Sequence, residues 1–325
     1  MKKLLEIKDL HVQYKTDSGI VYALNGVDLV VNKGETLGLV GETGAGKTTT
    51  ALSILKLLPD RVGKITKGSI KFDDMEITKA KEKDLRKIRG NKVSMVFQDP
   101  MTSLNPIIPV GDQIEEALEL HTTLNKDERS KMVDKMLEDV GLQAKRKNEY
   151  PHQFSGGMKQ RIVIAMSLAC NPELLLADEP TTALDVTIQA QVLQLINSLK
   201  DKYDSALLLI THDLGVVAQT CQRVAIMYAG RIIEVGTAKD IYESEIHHPY
   251  TVGLFGSIPE LNYDSERLHP IPGLMPDPMI LHHGCSFYER CPKRLEKCKS
   301  EPPKSFTIGS HSISCHLFES DETNK

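Results

Sequence analysis

The residues with the clearest chemical potential form one glycine-rich loop, Gly41-Glu42-Thr43-Gly44-Ala45-Gly46-Lys47-Thr48-Thr49. Its first part matches the phosphate-loop pattern G-x-x-x-x-G-K-[ST]. Glycines let backbone N–H groups converge on phosphate oxygens, and the N-terminus of a following helix adds a positive partial charge. We expect Lys47 to neutralise the β- and γ-phosphates and the Thr48 hydroxyl to ligate Mg²⁺. The loop therefore predicts a nucleotide site, against the alternative of a flexible glycine turn.

Two acidic residues supply the second half of such a site. The apolar run Leu174–Ala177 predicts a buried strand, and it ends in Asp178 and Glu179. Because side chains alternate along a strand, the two carboxylates point to opposite sides and can have different roles. We expect Asp178 to hold the Mg²⁺ ion and Glu179 to polarise the water that attacks the phosphate.

A second anion site is predicted at Ser155-Gly156-Gly157, directly before a helical pattern. One chain then has two phosphate-binding helix starts for a single pair of acids, which indicates that the second serves another subunit's nucleotide. These motifs together resemble the ATPase subunits of ABC transporters over residues 1–238. The resemblance implies ATP and Mg²⁺ as ligands, with the Ser-Gly-Gly signature of one subunit closing on the ATP held by its partner.

The same resemblance implies roles for residues that carry no strong signal alone. Gln98 would touch Mg²⁺ and the attacking water, and Asp185 would shape the dimer seam. His212 would contact the γ-phosphate as a switch, against the alternative of a capping histidine. Tyr14 would stack on adenine, with Tyr22 as competitor and a sheet-packing tyrosine as the alternative.

The pattern of elements predicts an α/β fold. Strand patterns fill the first 30 residues, at Leu4–Asp9, Leu10–Tyr14 and Val21–Val31. A helix is predicted at Thr48–Leu58, and Met101–Lys147 is predicted to be mostly helical, with apolar residues at helical spacing at Ile114, Leu118, Met132, Met136, Leu137 and Val140. Further strand patterns, the last at Arg223–Tyr228, alternate with helical ones. This alternation predicts a mostly parallel sheet with helices on both faces. The resemblance implies a P-loop NTPase of ABC type, with an antiparallel β-subdomain and a helical subdomain at about 100–160. Frequent prolines after Thr237 place a domain boundary near residue 238, followed by a small C-terminal domain at 239–325.

Composition excludes several classes of protein. The chain has 325 residues and a net charge of −4, unlike the basic proteins that coat nucleic acid. Its longest apolar runs, such as Ala206–Ile210, are far short of the roughly 20 residues of a membrane-spanning helix. The N-terminus lacks the apolar stretch of an export signal. We therefore expect a peripheral protein on the cytoplasmic face of the cell membrane in a prokaryote.

The tail motif His248-Pro249-Tyr250-Thr251 resembles the oligopeptide and dipeptide permease ATPases, a subfamily that includes importers of nickel complexes. The resemblance implies import of di- or oligopeptides, with a second ATPase subunit, two transmembrane permease subunits and an extracytoplasmic solute-binding protein as partners. An importer ATPase for nickel or another small solute is the alternative. A DNA-repair or chromosome ATPase is the alternative of another class, disfavoured because only 107 residues separate Lys47 from Ser155, without heptads.

Four of the six cysteines lie in the tail, at Cys285, Cys291, Cys298 and Cys315, and no two are close enough for the short C-x₂₋₄-C pairs of zinc sites. Disulfides are disfavoured in the cytoplasm. Four thiolates suit a [4Fe–4S] cluster, which some of the resembling ATPases carry. Zinc held with nearby histidines, or no metal, are the alternatives. Because every phosphate-contacting motif precedes residue 238, we expect ATP binding to be independent of this tail.

Overall fold

The computed structural model describes residues 2–182, 184–257 and 271–323, which form two compact units. Unit 1 consists of residues up to Leu5, Val30–Thr36 and Lys71–Thr211. Unit 2 consists of Glu6–Leu29, Leu37–Ile70 and the chain from His212 onward. None of the described helices is both long and apolar enough to cross a membrane.

The elements follow the chain in this order. The strands are β1 (Lys3–Thr16), β2 (Gly19–Asn32), β3 (Thr36–Val40), β4 (Gly63–Phe72), β5 (Met75–Glu76), β6 (Val93–Val96), β7 (Leu174–Asp178), β8 (Ala206–Thr211), β9 (Arg223–Tyr228), β10 (Arg231–Thr237), β11 (Ser305–Ile308) and β12 (His311–Ser314). The α-helices are α1 (Lys47–Ile54), α2 (Glu82–Leu85), α3 (Pro100–Ser103), α4 (Val110–His121), α5 (Lys126–Asp139), α6 (Gly156–Leu168), α7 (Val186–Lys202), α8 (Leu214–Thr220), α9 (Ala238–Glu243) and α10 (Pro249–Gly256).

Unit 1 contains three parallel strands in the order β6-β7-β8. Every residue of β7 is buried, as expected for a parallel strand with both faces covered. The register pairs Val96 with Ala177 and Asp178 with Ile210, so the carboxyl ends of these strands meet at one edge. That edge is where chemistry-bearing residues follow β6 and β7 in the sequence.

The helices of unit 1 have apolar faces at the spacing that the sequence predicts. Ile114 and Leu118 on α4, with Met136 and Leu137 on α5, are all buried. A capping box at Asn125, in which its side chain accepts from the Glu128 N–H at 3.1 Å, starts α5. The pattern read as mostly helical over Met101–Lys147 is thus several separate helices.

Unit 2 contains strands in the order β11-β12-β10-β9-β3. β3 runs parallel to β9, whereas β10 is antiparallel to both β9 and β12, so the sheet is mixed in this unit. The pair Glu234–Ile313 joins the tail hairpin to β10. A two-residue turn, Ala229 and Gly230, links β9 to β10 with positive φ at both positions, as a tight hairpin with right-handed twist requires.

Three local expectations were wrong. β1 is one strand rather than two, and Asp9 interrupts its regular backbone with a φ of 45°. α1 ends at Ile54 rather than Leu58, because Lys56 adopts the left-handed conformation with a φ of 52°. The strands β10, β11 and β12 were not expected at all, since only the strong strand patterns before Tyr228 were recognised.

Candidate nucleotide-binding site

The phosphate loop lies in unit 2 between the buried strand β3 and α1, as the sequence predicts. Gly46 is the N-cap of α1 with a φ of 107°, and no side chain caps the helix. The N–H groups of its first turn therefore lack intrahelical partners and can bind an anion. A Cβ atom at Gly46 would collide with the Leu24 side chain and the Ala23 carbonyl oxygen, so glycine is required there for space as well as for φ.

Backbone hydrogen bonds of the β9–β10 turn hold the phosphate loop in place. The Gly230 N–H donates to the Ala45 carbonyl oxygen at 2.8 Å, and the Asn25 N–H donates to the Gly230 carbonyl at 2.8 Å. A Cβ at Gly41 would meet the Met227 carbonyl oxygen, so the loop packs directly against β9 backbone. These contacts fix the loop before any ligand binds.

Lys47 is held inside the loop. Its side chain is buried, and Nζ donates to the Gly41 carbonyl oxygen at 2.7 Å and to the Glu42 carbonyl oxygen at 3.2 Å. Both acceptors are neutral, so phosphate oxygens can replace them with a stronger, charge-assisted interaction.

Tyr14, rather than Tyr22, contacts the start of α1. The Tyr14 hydroxyl donates to Thr49 Oγ1 at 3.2 Å, whereas the Tyr22 N–H donates to the Pro278 carbonyl oxygen at 2.8 Å. Thr48 is exposed beside Thr49. Thr48 is therefore accessible to a metal ion and its waters.

In unit 1 the structure brings Gln98 and Glu179 together. Glu179 Oε2 accepts from Gln98 Nε2 at 3.2 Å and from the Thr182 hydroxyl at 3.1 Å. Glu179 has a φ of 46°, a conformation that costs free energy for a residue with a side chain and that often marks a functional site. Asp178, the last residue of β7, is 2% exposed. The two carboxylates thus have different surroundings, and separate roles for them remain a prediction.

The signature Ser155-Gly156-Gly157 begins α6 in unit 1. Ser155 is the N-cap residue, but its hydroxyl caps no N–H of its own helix. Ser155 and Gly156 are exposed, so this helix start is accessible to another molecule. Gly157 packs closely against Ile188, since a Cβ atom at position 157 would collide with the Ile188 side chain.

Two further expected residues lie next to helix starts. The Asp185 side chain accepts from the Ile188 N–H at 2.9 Å and caps α7, while Ala183, two residues before it, lies outside the described residues. In unit 2, His212 is exposed, and Asp213 caps α8 by accepting from the Gly215 N–H at 2.9 Å. Capping of α8 by Asp213 fixes the backbone that carries His212.

Sequence reasoning missed two residues that contact the phosphate loop from beyond residue 238. The Glu42 N–H donates to the Tyr250 hydroxyl at 3.0 Å, and the Arg290 guanidinium binds both oxygens of the Glu42 carboxylate at 2.7 and 3.1 Å. The His-Pro-Tyr motif is a signal that could have marked Tyr250. No sequence pattern marks Arg290, which lies 248 residues from Glu42.

The four tail cysteines lie in unit 2 and form no disulfide among the described residues, and two of them, Cys298 and Cys315, are buried. The Cys285 N–H donates to the Cys298 carbonyl oxygen at 2.8 Å. Burial raises the pKa of Cys315 to about 11, and negative charge on the other three thiols opposes its ionisation further. The four sulfur atoms therefore share one region, in which thiolates need a compensating cation.

One compact set of potential metal ligands is present among residues 2–182, 184–257 and 271–323, namely Glu234, His247 and His311. Glu234 Oε1 contacts His247 Nδ1 at 2.7 Å and His311 Nε2 at 2.8 Å. His247 Nε2 lies 2.8 Å from the Ser244 carbonyl oxygen, so both ring nitrogens face acceptors and carry protons. In this arrangement the group is an ion pair centred on the buried Glu234 carboxylate.

The directions in which the pKa values of Glu234 and His247 are shifted agree with an ion pair. Burial alone would raise the pKa of Glu234, but hydrogen bonds from His247, His311 and Thr251 outweigh it and lower the pKa to about 2. The Glu234 carboxylate in turn raises the pKa of His247. The ion pair joins β10 to the start of α10 and to the tail hairpin.

Two family models match the chain. One, "ABC transporter", matches residues 24–182, and the other, "Oligopeptide/dipeptide transporter, C-terminal region", matches residues 233–298. The chain is 49% identical to the dipeptide transport ATP-binding protein DppD of Bacillus subtilis, over 98% of this chain and 95% of that protein. It is 47% identical to the oligopeptide transport ATP-binding protein OppD of Escherichia coli, over 94% of this chain and 91% of that protein.

Solved structures give the same picture for the fold. The ATP-binding cassette MJ0796, in a dimeric post-hydrolysis state with ADP and phosphate, is 30% identical with a TM-score of 0.65. It covers 72% of this chain and 98% of its own length. The ABC ATPase fold expected from the motifs is therefore confirmed.

Proposed function

The chain belongs to the ATP-binding subunits of the oligopeptide and dipeptide ABC transporters, and from this premise we propose that it hydrolyses ATP to power the import of di- or oligopeptides. The observation that carries the proposal is the near full-length match to two peptide-transport ATP-binding proteins. That match includes the tail region, which the ABC cassette alone does not have. It favours peptide import over a DNA-repair or chromosome ATPase.

Each half-site suits one part of the hydrolysis reaction. We infer that the loop Gly41–Thr49 holds the phosphates, with Lys47 neutralising them and Tyr14 stacking on adenine. Glu179, oriented by Gln98 and Thr182, takes a proton from the attacking water, and exposed His212 contacts the γ-phosphate.

The oxygen donors expected for Mg²⁺ are the Thr48 hydroxyl, the Asp178 carboxylate and the Gln98 amide. This donor set fits the ion, because Mg²⁺ prefers hard oxygen ligands and keeps several waters. Asp178 is almost fully buried, so it offers a fixed carboxylate, whereas exposed Thr48 leaves room for waters. When bound, Mg²⁺ neutralises charge that develops on the phosphate oxygens.

We propose that the second ATP contact comes from a partner ATPase subunit. The start of α6 at Ser155, Gly156 and Gly157, of which Ser155 and Gly156 are exposed, would close on the partner's γ-phosphate, with Asp185 at the seam. A heterodimer with a second, different ATPase subunit is the arrangement that the family resemblance implies.

Membrane partners are supported by apolar side chains left in solvent. Ile107 is 80% exposed and Leu120 is 71% exposed, both in the helical part of unit 1. We propose that these two side chains belong to one apolar patch, since a contiguous exposed patch marks a surface that another protein covers. We propose that two transmembrane permease subunits dock on the chain at the cytoplasmic face, and that an extracytoplasmic binding protein delivers the solute to them.

The proposal is tested with the complete transporter reconstituted in lipid nanodiscs together with its binding protein. ATP hydrolysis is measured with peptide, with a nickel complex and with DNA. We expect peptide to stimulate hydrolysis. Stimulation by the nickel complex alone would establish the other importer class, and stimulation by DNA alone would overturn the proposal.

We also propose a division near residue 238, with a C-terminal domain at 239–325 that holds a [4Fe–4S] cluster on Cys285, Cys291, Cys298 and Cys315. A tetrahedral zinc site needs sulfur atoms within about 4 Å of one another. Among the described residues no three of these thiols lie mutually within 4.8 Å. A cubane, which binds each thiolate at a separate iron, holds its ligands further apart and fits this spacing better.

Protein purified without oxygen is expected to contain about four iron and four sulfide per chain, with broad absorption near ~400 nm. Cys291→Ser should remove the absorption and the iron. Cys170→Ser, a matched control in unit 1 whose thiol donates to the Ala117 carbonyl oxygen at 3.4 Å, should change neither. One zinc per chain without iron would establish the zinc alternative, and no metal would contradict the cluster.

A further inference from the structure

Arg290 lies in the tail but its side chain ends in the phosphate loop of the same unit. The side chain is only 7% exposed. Its two terminal nitrogens donate to the two oxygens of Glu42, which forms the bidentate geometry that makes Arg–carboxylate pairs strong. The remaining donors bind the Pro272 carbonyl oxygen at 3.0 Å and the Ile271 carbonyl oxygen at 3.3 Å. The guanidinium is thus held by two tail carbonyl oxygens and, at the same time, binds the Glu42 carboxylate of the phosphate loop.

Glu42 needs this partner because of where it lies. It is the second residue of a loop whose ligand is a polyanion, and a carboxylate there repels phosphate unless its charge is neutralised. Its backbone is also engaged, since its N–H donates to the Tyr250 hydroxyl and its carbonyl oxygen accepts from Lys47 Nζ. A change in the conformation of Glu42 would therefore also move the backbone groups that contact Tyr250 and Lys47.

The other end of the contact lies among the tail cysteines. Arg290 closes a short 3₁₀ turn, Tyr288–Arg290, between Cys285 and Cys291. The Tyr288 N–H donates to the Cys285 carbonyl oxygen at 3.0 Å, and the Cys291 N–H donates to the Tyr288 carbonyl oxygen at 3.3 Å. Anything that holds these two cysteines also holds Arg290 in position.

An aromatic cluster makes the connection rigid. The rings of Tyr228, Tyr250 and Phe287 are buried with centroids 4.6 to 5.5 Å apart. Phe287 precedes the 3₁₀ turn, and Tyr250 is the residue that binds the Glu42 N–H. Movement of the cysteine segment would therefore disturb both contacts with Glu42 at once.

We propose that Arg290 is a positioning residue for ATP binding, which neutralises Glu42 and makes the ATP affinity of the phosphate loop depend on the conformation of the tail segment Cys285–Cys291. The expectation that ATP binding is independent of the tail is thereby revised. The proposal rests on ATP binding by this chain but requires neither peptide as cargo nor a cluster on the cysteines.

The test is a double-mutant cycle on the full chain, with a fluorescent ATP analogue as the probe. Arg290→Ala should raise the Kd for ATP about tenfold, because it leaves a carboxylate beside the phosphates without its partner. In a Glu42→Gln background the same substitution should raise the Kd less than about twofold, since no carboxylate remains to neutralise. An equal rise in both backgrounds would show that Arg290 merely maintains the tail and would overturn the proposal.

Two further variants guard against loss of folding. Arg290→Lys keeps the charge but loses the bidentate geometry, so its Kd should lie between those of wild type and Arg290→Ala. Arg294→Ala is the matched control, because Arg294 lies just after the tail segment and its guanidinium lies over the Tyr288 ring, 5.5 Å from the ring centroid. This control should retain the wild-type Kd, and a rise as large as that of Arg290→Ala would contradict the proposal.

Dependence on the tail segment is tested by combining Cys291→Ser with the same cycle. Cys291→Ser alone should raise the Kd for ATP, and it should add little once Arg290 is alanine, because the two changes act through one contact. Independent, multiplying effects would overturn the claimed connection. Failure of wild-type protein to bind ATP would instead contradict the proposed function, so the two failures are distinguishable.

Discussion

Glu179→Gln is expected to lower ATP turnover by about 10²–10⁴-fold, the usual effect of losing a general base, while ATP still binds. The amide keeps the shape of the carboxylate but cannot accept a proton from water. Glu179 already has its unusual φ of 46°, which glutamine can keep through the same contact with Thr182. The variant should therefore accumulate with ATP bound and the dimer closed, as measured by light scattering and by steady-state hydrolysis.

The matched control for this variant is Glu173→Gln. Glu173 lies directly before β7, as Glu179 lies directly after it, and pairs with Lys92 at 3.2 Å on the surface. Removal of this surface carboxylate should leave turnover unchanged, since exposed ion pairs contribute little. Near-normal hydrolysis by Glu179→Gln would refute its role as the base.

Ser155→Arg should abolish hydrolysis by the assembled transporter and leave ATP binding to the isolated chain intact. The exposed start of α6 would then present a long cationic side chain where the partner's γ-phosphate has to fit. Because we propose that this helix start contacts the partner's nucleotide and not the chain's own, the chain's own ATP affinity should not change. Equilibrium binding of a fluorescent ATP analogue and hydrolysis by the complex measure the two effects separately.

Ser198→Arg provides the control for added bulk and charge. Ser198 is an exposed serine on α7 whose hydroxyl donates to the Leu195 carbonyl oxygen, and it belongs to no phosphate-binding motif. Hydrolysis should survive this change. If Ser155→Arg weakened ATP binding as much as Lys47→Ala does, the signature would act on the chain's own nucleotide and not on the partner's.

The local structure of the phosphate loop and of the end of β7 could be predicted, because it is set by residues close to one another in the sequence. A glycine at the N-cap of α1 and a buried strand that ends at Asp178 follow from spacing and alternation over a few residues. The buried faces of α4 and α5 were also predicted, since Ile114, Leu118 and Met136 recur at helical spacing.

The rest could not be predicted because it depends on contacts between distant residues. β12 is a short strand with two serines, and it is regular because it pairs with β10 on one side and with β11 on the other. No sequence pattern distinguishes Arg290 from a surface arginine, and only the fold places it next to Glu42. The end of α1 is set by the left-handed conformation of Lys56, for which the sequence contains no glycine signal.

Uptake of a labelled dipeptide into proteoliposomes that contain the complete transporter tests the central claim most directly. Wild-type transporter should accumulate the dipeptide only when ATP is present on the side that exposes this chain. Lys47→Ala in this chain should reduce uptake to the level seen without ATP, because the buried Lys47 ammonium is the positively charged side chain of the phosphate loop. Uptake that proceeds equally well without ATP, or with Lys47→Ala, would contradict the account.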